Sequence, residues 1–132
     1  MTFSHLQLNW FKAQQTCLRN GARLATIDTV ADLALIDKNL KALQQTVNIT
    51  NKPSFWLSGN DLTQEDAFWW LSNGKAMNMS DSFWETKQPD NKNNQPQCVV
   101  LGKPLLSTKF MFHDVGCVLK RHYICEASPL TA

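Results

Sequence analysis

Residues 10–27, with the sequence WFKAQQTCLRNGARLATI, encode a helix followed by an extended segment. The helix is predicted over Trp10 to Asn20 because its apolar side chains recur at helical spacing. Asn9 precedes it as a candidate N-cap, and Gly21 follows it where a C-terminal glycine ends a helix. The residues of the apolar stripe are Trp10, Ala13, Cys17 and Leu18. A brief extended connection then runs through Leu24, Ala25 and Ile27.

Two further elements flank this segment. Thr2 to Leu8 is predicted to form a short strand. Its expected buried residues are Phe3, His5 or Leu6, and Leu8. A second helix begins after Asp28 or Thr29, either of which would cap it. Its apolar stripe consists of Val30, Leu33, Ile36, Leu40 and Leu43. Both helices are therefore expected to be amphipathic and to pack on a sheet.

Short strands and polar loops fill the rest of the chain. The predicted strands are Ser54–Leu57, Phe68–Leu71, Cys98–Leu101, Phe110–Phe112 and Tyr123–Cys125. We expect turns at Gly59-Asn60-Asp61 and at Ser72-Asn73-Gly74-Lys75. Asn91 to Gln97 has no apolar aliphatic or aromatic side chain apart from proline, so it is expected at the surface. The order of the predicted helices and strands indicates an α+β fold, with two early helices followed by short antiparallel strands and long loops.

Length and charge limit the classes of protein to consider. The chain has 132 residues, which predicts a single domain over residues 1–132 with a substantial core. Its net charge of +2 does not favour nucleic acid or an anionic membrane as the main partner. No apolar run approaches the roughly 20 residues of a membrane span.

The four cysteines Cys17, Cys98, Cys117 and Cys125 indicate two disulfides and an oxidising compartment. Their spacing allows three connectivities. A zinc site is the competing interpretation, but the short Cys-x-x-Cys pairs of structural zinc sites are missing. Glycosylation sequons at Asn48-Ile-Thr50 and Asn78-Met-Ser80 add support for a secreted or extracellular glycoprotein.

The turn Gln88-Pro89-Asp90 is the candidate for binding chemistry. A proline between two residues can hold the preceding peptide bond cis, which directs both neighbouring side chains the same way. The side-chain oxygens of Gln88 and Asp90 would then suit a calcium ion or the hydroxyl groups of a sugar. In isolation, such a tripeptide is also compatible with an ordinary surface turn.

Several motifs follow one another along the chain. They start with Trp10-x-x-Ala13-x-x-x-Cys17-x-x-x-Gly21-x-x-Leu24-Ala25-x-Ile27, and continue with Phe55-Trp56-Leu57-Ser58-Gly59 and Gln88-Pro89-Asp90-Asn91. They end with Cys98-Val99, Phe112-His113-Asp114-x-x-Cys117 and Tyr123-Ile124-Cys125-Glu126. In this order and spacing the motifs resemble those of the C-type lectin-like domain. The resemblance covers nearly the whole chain and implies the C-type lectin-like fold. It also implies the disulfides Cys17–Cys125 and Cys98–Cys117.

The resemblance implies a sugar site built on one calcium ion held by five side chains. Gln88, Asp90 and Asp114 match three of these ligands, whereas Pro96 and His113 replace a glutamate and an asparagine. Calcium takes six to eight oxygen ligands, so the site is predicted to be incomplete and calcium binding to be weak or absent. Asp90, His113 and Asp114 would alternatively suit a transition metal such as zinc.

The Gln-Pro-Asp form resembles galactose-binding members of the family. Such members often stack an aromatic ring on the sugar, but the loop after Asp90 contains no aromatic residue. We therefore expect a secreted carbohydrate-recognition domain that binds a glycan or glycoprotein through Gln88, Asp90, His113 and Asp114. The alternative is a calcium-independent domain that binds a protein partner through the same loops. An enzyme is not expected, because no activated nucleophile or phosphate-binding glycine loop is present.

Other features have structural interpretations. Trp56, Trp69, Trp70 and Trp84 are predicted to pack in the core, and His122 is predicted to lie on an exposed strand surface. A late basic cluster is predicted to be a solvated face; it consists of Lys103, Lys109, Lys120 and Arg121. The apolar pieces Pro104-Leu105-Leu106 and Phe110-Met111 are candidates for a protein contact or a homodimer face.

Overall fold

The computed structural model of the chain describes residues 1–46, 53–90, 95–102 and 109–127. It contains two helices and seven strands within these ranges. In chain order they are β1 (Thr2–Leu8), α1 (Trp10–Arg19), β2 (Ala22–Leu24), α2 (Val30–Thr46), β3 (Ser54–Asn60), β4 (Trp69–Trp70), β5 (Gln97–Gly102), β6 (Met111–Gly116) and β7 (Arg121–Ala127). The predicted α+β class is confirmed.

Both helices begin where local sequence signals predict, and α1 also ends next to its predicted glycine. The side chain of Asn9 accepts a hydrogen bond of 2.8 Å from the amide of Lys12, which satisfies one of the free donors at the start of α1. Gly21 follows α1 with φ of +72°, a backbone conformation that glycine adopts readily. The hydroxyl of Thr29 accepts a bond of 3.0 Å from the amide of Asp32 and caps α2.

The strands form one mixed sheet in the order β1-β7-β3-β5-β6, with β2 paired to β7 and β4 paired to β3. Neighbouring strands are antiparallel except for β3 and β7, which run parallel with Phe55 opposite His122. The predicted antiparallel pairing therefore holds for the other neighbouring strands but not for this pair. Parallel pairing requires a long connection, and local pattern does not reveal which distant strands meet.

The core lies on both faces of the sheet, because alternate residues of each central strand point to opposite sides. Phe55, Val99 and Ile124 pack on the side of α2, together with Leu33 and the other members of a large cluster. The opposite face packs against α1, through Trp10, Ala13, Cys17, Trp56, Val100 and Tyr123. Strands buried on both faces read as continuous apolar runs, as in Phe55-Trp56-Leu57.

Two disulfides join elements that are distant in sequence. Cys17–Cys125 connects α1 to β7 across 108 residues. Cys98–Cys117 connects β5 to the residue that follows β6, across 19 residues. Both bridges match the pairing that the family resemblance implied.

Several predicted burial positions were wrong. Val30 is 55% exposed, because it is the first residue of α2 and precedes the part of the helix that packs on the sheet. His5 and Leu6 are exposed, since the pairing of β1 with β7 is irregular between Ser4 and Leu8.

The predicted turn at Gly59-Asn60-Asp61 is instead the buried end of β3 and the residue after it. Asn60 pairs with both Trp69 and Cys98, so strands on either side cover this segment. His122 was predicted to be exposed but is 5% exposed, with its ring centroid 5.3 Å from that of Phe55.

Candidate functional site

The Gln-Pro-Asp turn is attached to the core through the segment that precedes it. Phe112 in β6 donates its amide to the carbonyl of Phe83 at 2.8 Å and accepts one from the amide of Glu85 at 3.2 Å. The amide of Gln88 then bonds to the carbonyl of Glu85 at 2.9 Å. The Gln88-Pro89 peptide bond is cis. This arrangement holds the turn beside β6.

Phe112 forms the support beneath the turn. Its side chain is 1% exposed and packs among three aromatic rings. The centroid distances are 5.6 Å to Trp70, 5.5 Å to Phe83 and 5.7 Å to Trp84. Aromatic pairs at this separation stabilise beyond the area that they bury. The tryptophans predicted as core therefore pack as expected at Trp70 and Trp84.

Three of the predicted site residues meet in a hydrogen-bond network. The amide of Asp114 donates to Oε1 of Gln88 at 3.2 Å, and the amide of Asp90 donates to Oδ1 of Asp114 at 2.9 Å. Nε2 of Gln88 donates to Oδ2 of Asp90 at 3.3 Å. Asp90 is exposed and Asp114 is 6% exposed. The exposed carboxylate of Asp90 is therefore held in place by the largely buried Asp114.

The fourth predicted residue, His113, lies on the opposite face of β6 from Asp114 by strand alternation. It packs near Gly102, where an added Cβ would lie 3.3 Å from the imidazole Cδ2. Burial lowers the pKa of His113 below 6.5, while the charges of Glu85 and Asp90 oppose this shift. Nε2 of His113 is buried and has no hydrogen-bond partner among the residues that the structure describes. His113 therefore lies on the other face of β6 from Asp114, but within range of the charge of Asp90.

The three residues of the network are by themselves fewer donors than a calcium shell takes. Gln88, Asp90 and Asp114 supply two carboxylates and one amide, whereas calcium takes six to eight oxygens. The exposed Pro96 offers no side-chain oxygen. Across the described ranges, no group of three or more histidine, cysteine, aspartate or glutamate residues is placed to hold a metal ion. The zinc-like combination of Asp90, His113 and Asp114 is thus not assembled.

Sequence reasoning missed Asp61, which fixes the backbone of Gln97 at the start of β5. Its Oδ1 accepts the amide of Gln97 at 2.7 Å, and its own amide donates to the carbonyl of Gln97 at 3.0 Å. Its Oδ2 accepts the amide of Asp66 at 3.3 Å. The available signal is an acidic residue directly after a buried strand, but the local pattern Gly59-Asn60-Asp61 predicts a turn. A cleft of about 200 Å³ beside Asp61 is bordered by residues 62–65, Gln95 and Pro96.

Other predicted features have mixed outcomes. Lys109 and Lys120 are exposed as expected, whereas Arg121 is half-buried. Phe110 is 1% exposed, so it belongs to the core and was wrongly placed in a protein-contact face. Lys103, the segment Pro104-Leu105-Leu106 and most of the loop after Asp90 lie outside the described residues. None of the helices in the described part is long and apolar enough to cross a membrane.

The chain is similar in sequence to known C-type lectins. The family model described as "Lectin C-type domain" matches residues 6–127. The chain is 32% identical to "Salivary C-type lectin 1" of Aedes albopictus over 125 residues, which cover 94% of this chain and 79% of the relative. It is also 32% identical to "C-type lectin 16" of Aedes aegypti over 127 residues, with the same coverage of both chains.

A solved structure shows the same fold. The mouse scavenger receptor C-type lectin carbohydrate-recognition domain superposes with a TM-score of 0.74 at 21% identity. The alignment covers 96% of this chain and 87% of that one. Together with the family match over most of the sequence, these relationships show that the chain belongs to the C-type lectin domain family.

Proposed function

We propose that this domain is a secreted lectin that binds glycans at the surface formed by Gln88, Asp90 and Asp114, with His113 at its margin. The observation that supports this proposal is the hydrogen-bond network that joins Gln88, Asp90 and Asp114. Membership of a lectin family and relatives named salivary lectins support glycan binding and secretion. Lectins are binding proteins, so no catalytic role is proposed.

Sugar hydroxyl groups both donate and accept hydrogen bonds, and the network offers partners of both kinds. The carboxylate of Asp90 is exposed and accepts, while the amide of Gln88 can donate and accept. Hydrogen bonds to a charged carboxylate are about twice as strong as those between neutral groups. Because Asp114 holds the amide of Asp90, less ordering of the turn is required when a ligand binds.

Calcium is proposed to contribute weakly or not at all. Affinity for calcium depends on the number and charge of its oxygen ligands, and both Pro96 and His113 stand where the family's pattern supplies an oxygen. A galactose-terminated glycan is the first ligand to test, because the Gln-Pro-Asp turn resembles that of galactose-binding members. The same departures favour the second candidate function, in which the loop surface binds a protein.

A glycan array with galactosides tests the proposal when it is run in calcium and in chelator. Asp90→Ala removes the exposed carboxylate but keeps the backbone bond to Asp114, so the variant should stay folded and lose glycan binding. Asp81→Ala is the matched control, since Asp81 is an exposed acid outside the network. Absence of glycan binding in both buffers would contradict the proposal and favour a protein ligand.

A further inference from the structure

The second sequon, Asn78-Met79-Ser80, lies on an exposed loop between two anchored residues. All three of its residues are exposed. On one side, Met77 is 5% exposed and its amide donates to the carbonyl of Phe68 at 3.1 Å. On the other side, Trp84 is 2% exposed. The sequon is therefore a fixed part of the surface and its side chains face solvent.

Asn78 leaves its amide nitrogen accessible. Its Oδ1 accepts the amide of Ser80 at 2.9 Å, and its backbone carbonyl accepts Nε1 of Trp84 at 3.1 Å. Nδ2 makes no hydrogen bond to the part of the chain that the structure describes. A substituent on Nδ2 would keep both existing bonds, because neither of them uses that nitrogen.

We infer that Asn78 is a site of N-linked glycosylation. The inference rests on the secretion part of the proposed function, since the modification takes place in the secretory pathway. The co-reactant is a lipid-diphosphate-linked oligosaccharide. Its anomeric carbon forms a bond to Nδ2 while its bond to the diphosphate oxygen breaks. The lipid diphosphate leaves, and Nδ2 gives up one proton. The central position holds Met79, so the proline that blocks a sequon is not present.

N-linked glycans are bulky and solubilising and therefore require a surface position, which the exposed Asn78 provides. The neighbouring Met79 is 46% exposed, and a glycan at Asn78 would cover part of this apolar surface. Asn78 precedes the Gln-Pro-Asp turn in the chain, with the buried Trp84 between them in the sequence. The proposed modification and the proposed ligand site therefore occupy different parts of one loop segment.

The experiment expresses the chain behind a signal peptide in animal cells, with Asn48→Gln so that Asn78 lies in the single remaining sequon. Intact mass is measured before and after an N-glycosidase, and peptide mapping in heavy-oxygen water locates the site. We expect a glycan mass increment that the enzyme removes, with conversion of Asn78 to labelled aspartate. Recovery of secreted, disulfide-bonded protein with unmodified Asn78 would overturn the inference.

Two variants of Ser80 serve as a matched pair. Ser80→Ala removes the hydroxyl that the sequon requires and should abolish the mass increment, whereas Ser80→Thr should retain it. Both leave Asn78 and the donating amide of residue 80 in place. A mass increment that persists in Ser80→Ala would contradict the assignment to this sequon. Glycan binding is measured separately on the same preparations, so failure of the proposed lectin function would not be confused with an unmodified Asn78.

Discussion

Replacement of Phe112 by alanine tests whether the aromatic cluster supports the candidate site. The ring is 1% exposed and contacts Trp70, Phe83 and Trp84 at centroid distances of 5.6, 5.5 and 5.7 Å. The two backbone hydrogen bonds of residue 112 do not involve its side chain, so alanine can keep them. The loss of folding stability in Phe112→Ala is therefore expected to come from packing alone.

Truncation of a buried phenylalanine to alanine costs about 3–5 kcal/mol, through lost transfer free energy and the cavity that remains. We expect about 4 kcal/mol for Phe112→Ala. At the usual unfolding entropy per residue, a chain of 132 residues converts this into a decrease of about 14 °C in the melting temperature. Circular dichroism during denaturant and thermal unfolding measures both quantities.

Phe11→Ala is the control, because it makes the same substitution at a ring that is 50% exposed. Partial burial limits its expected cost to about 1 kcal/mol. If Phe112→Ala lost no more stability than Phe11→Ala, the cluster would not be the support described above. A decrease of several kcal/mol for Phe112→Ala alone would agree with it.

Three further predictions concern stability. By the loop-entropy model, alanine replacement of the disulfide between α1 and β7 should cost about 5 kcal/mol, and that of the disulfide between β5 and the end of β6 about 3 kcal/mol; denaturant unfolding should give this order, and the reverse order would contradict it. Gly59→Ala should cost about 1–3 kcal/mol, because its Cβ would lie 2.6 Å from Sδ of Met77. Gly116→Ala should cost less than about 1 kcal/mol, since its nearest new contact is 3.9 Å away; equal melting temperatures for the two variants would refute this explanation. Burial lowers the pKa of His122 below 6.5, so stability present above about pH 6.5 should be lost as the pH falls toward the folded-state pKa; His122→Leu should reduce this pH dependence of the unfolding free energy, and an unchanged slope would show that His122 does not cause it.

The features that the sequence predicts well are those with local causes. The start of α1 follows from Asn9, whose side chain bonds to an amide three residues later. Its end follows from Gly21, which adopts a positive φ. Capping and glycine conformations depend on a few neighbouring residues, so one chain is sufficient to predict them. The disulfide pairing, by contrast, came from the family resemblance, because spacing alone allowed three connectivities.

The errors arose where distant segments meet. His122 follows two basic residues and is predicted to be exposed, but it is buried because β7 lies between β1 and β3 in the sheet. Both of its ring nitrogens are buried and lack a hydrogen-bond partner within the described part of the chain, an arrangement that no local pattern predicts. Asp61 is predicted to lie in a turn, but it is buried, and its hydrogen-bond partner Gln97 lies 36 residues away in the sequence.

In the candidate site, too, local features are predicted from the sequence and contacts between distant residues are not. The local motif identifies Gln88 and Asp90, and the resemblance adds Asp114, which is 24 residues from Asp90. The sequence does not predict that Asp114 would accept the amide of Asp90 and donate its own amide to Gln88. His113, one residue before Asp114, lies on the other face of β6 because successive side chains of a strand alternate.

Titration of a galactose-terminated glycan into metal-stripped protein tests the proposed lectin function most directly. The measurement is isothermal titration calorimetry in chelator, repeated in millimolar calcium and with Asp90→Ala. We predict binding in chelator, a change of less than about tenfold in Kd on addition of calcium, which corresponds to about 1.4 kcal/mol, and loss of binding in Asp90→Ala. Binding that requires calcium would contradict the weak role assigned to the metal, and absence of binding in both buffers would contradict the galactose-type lectin function.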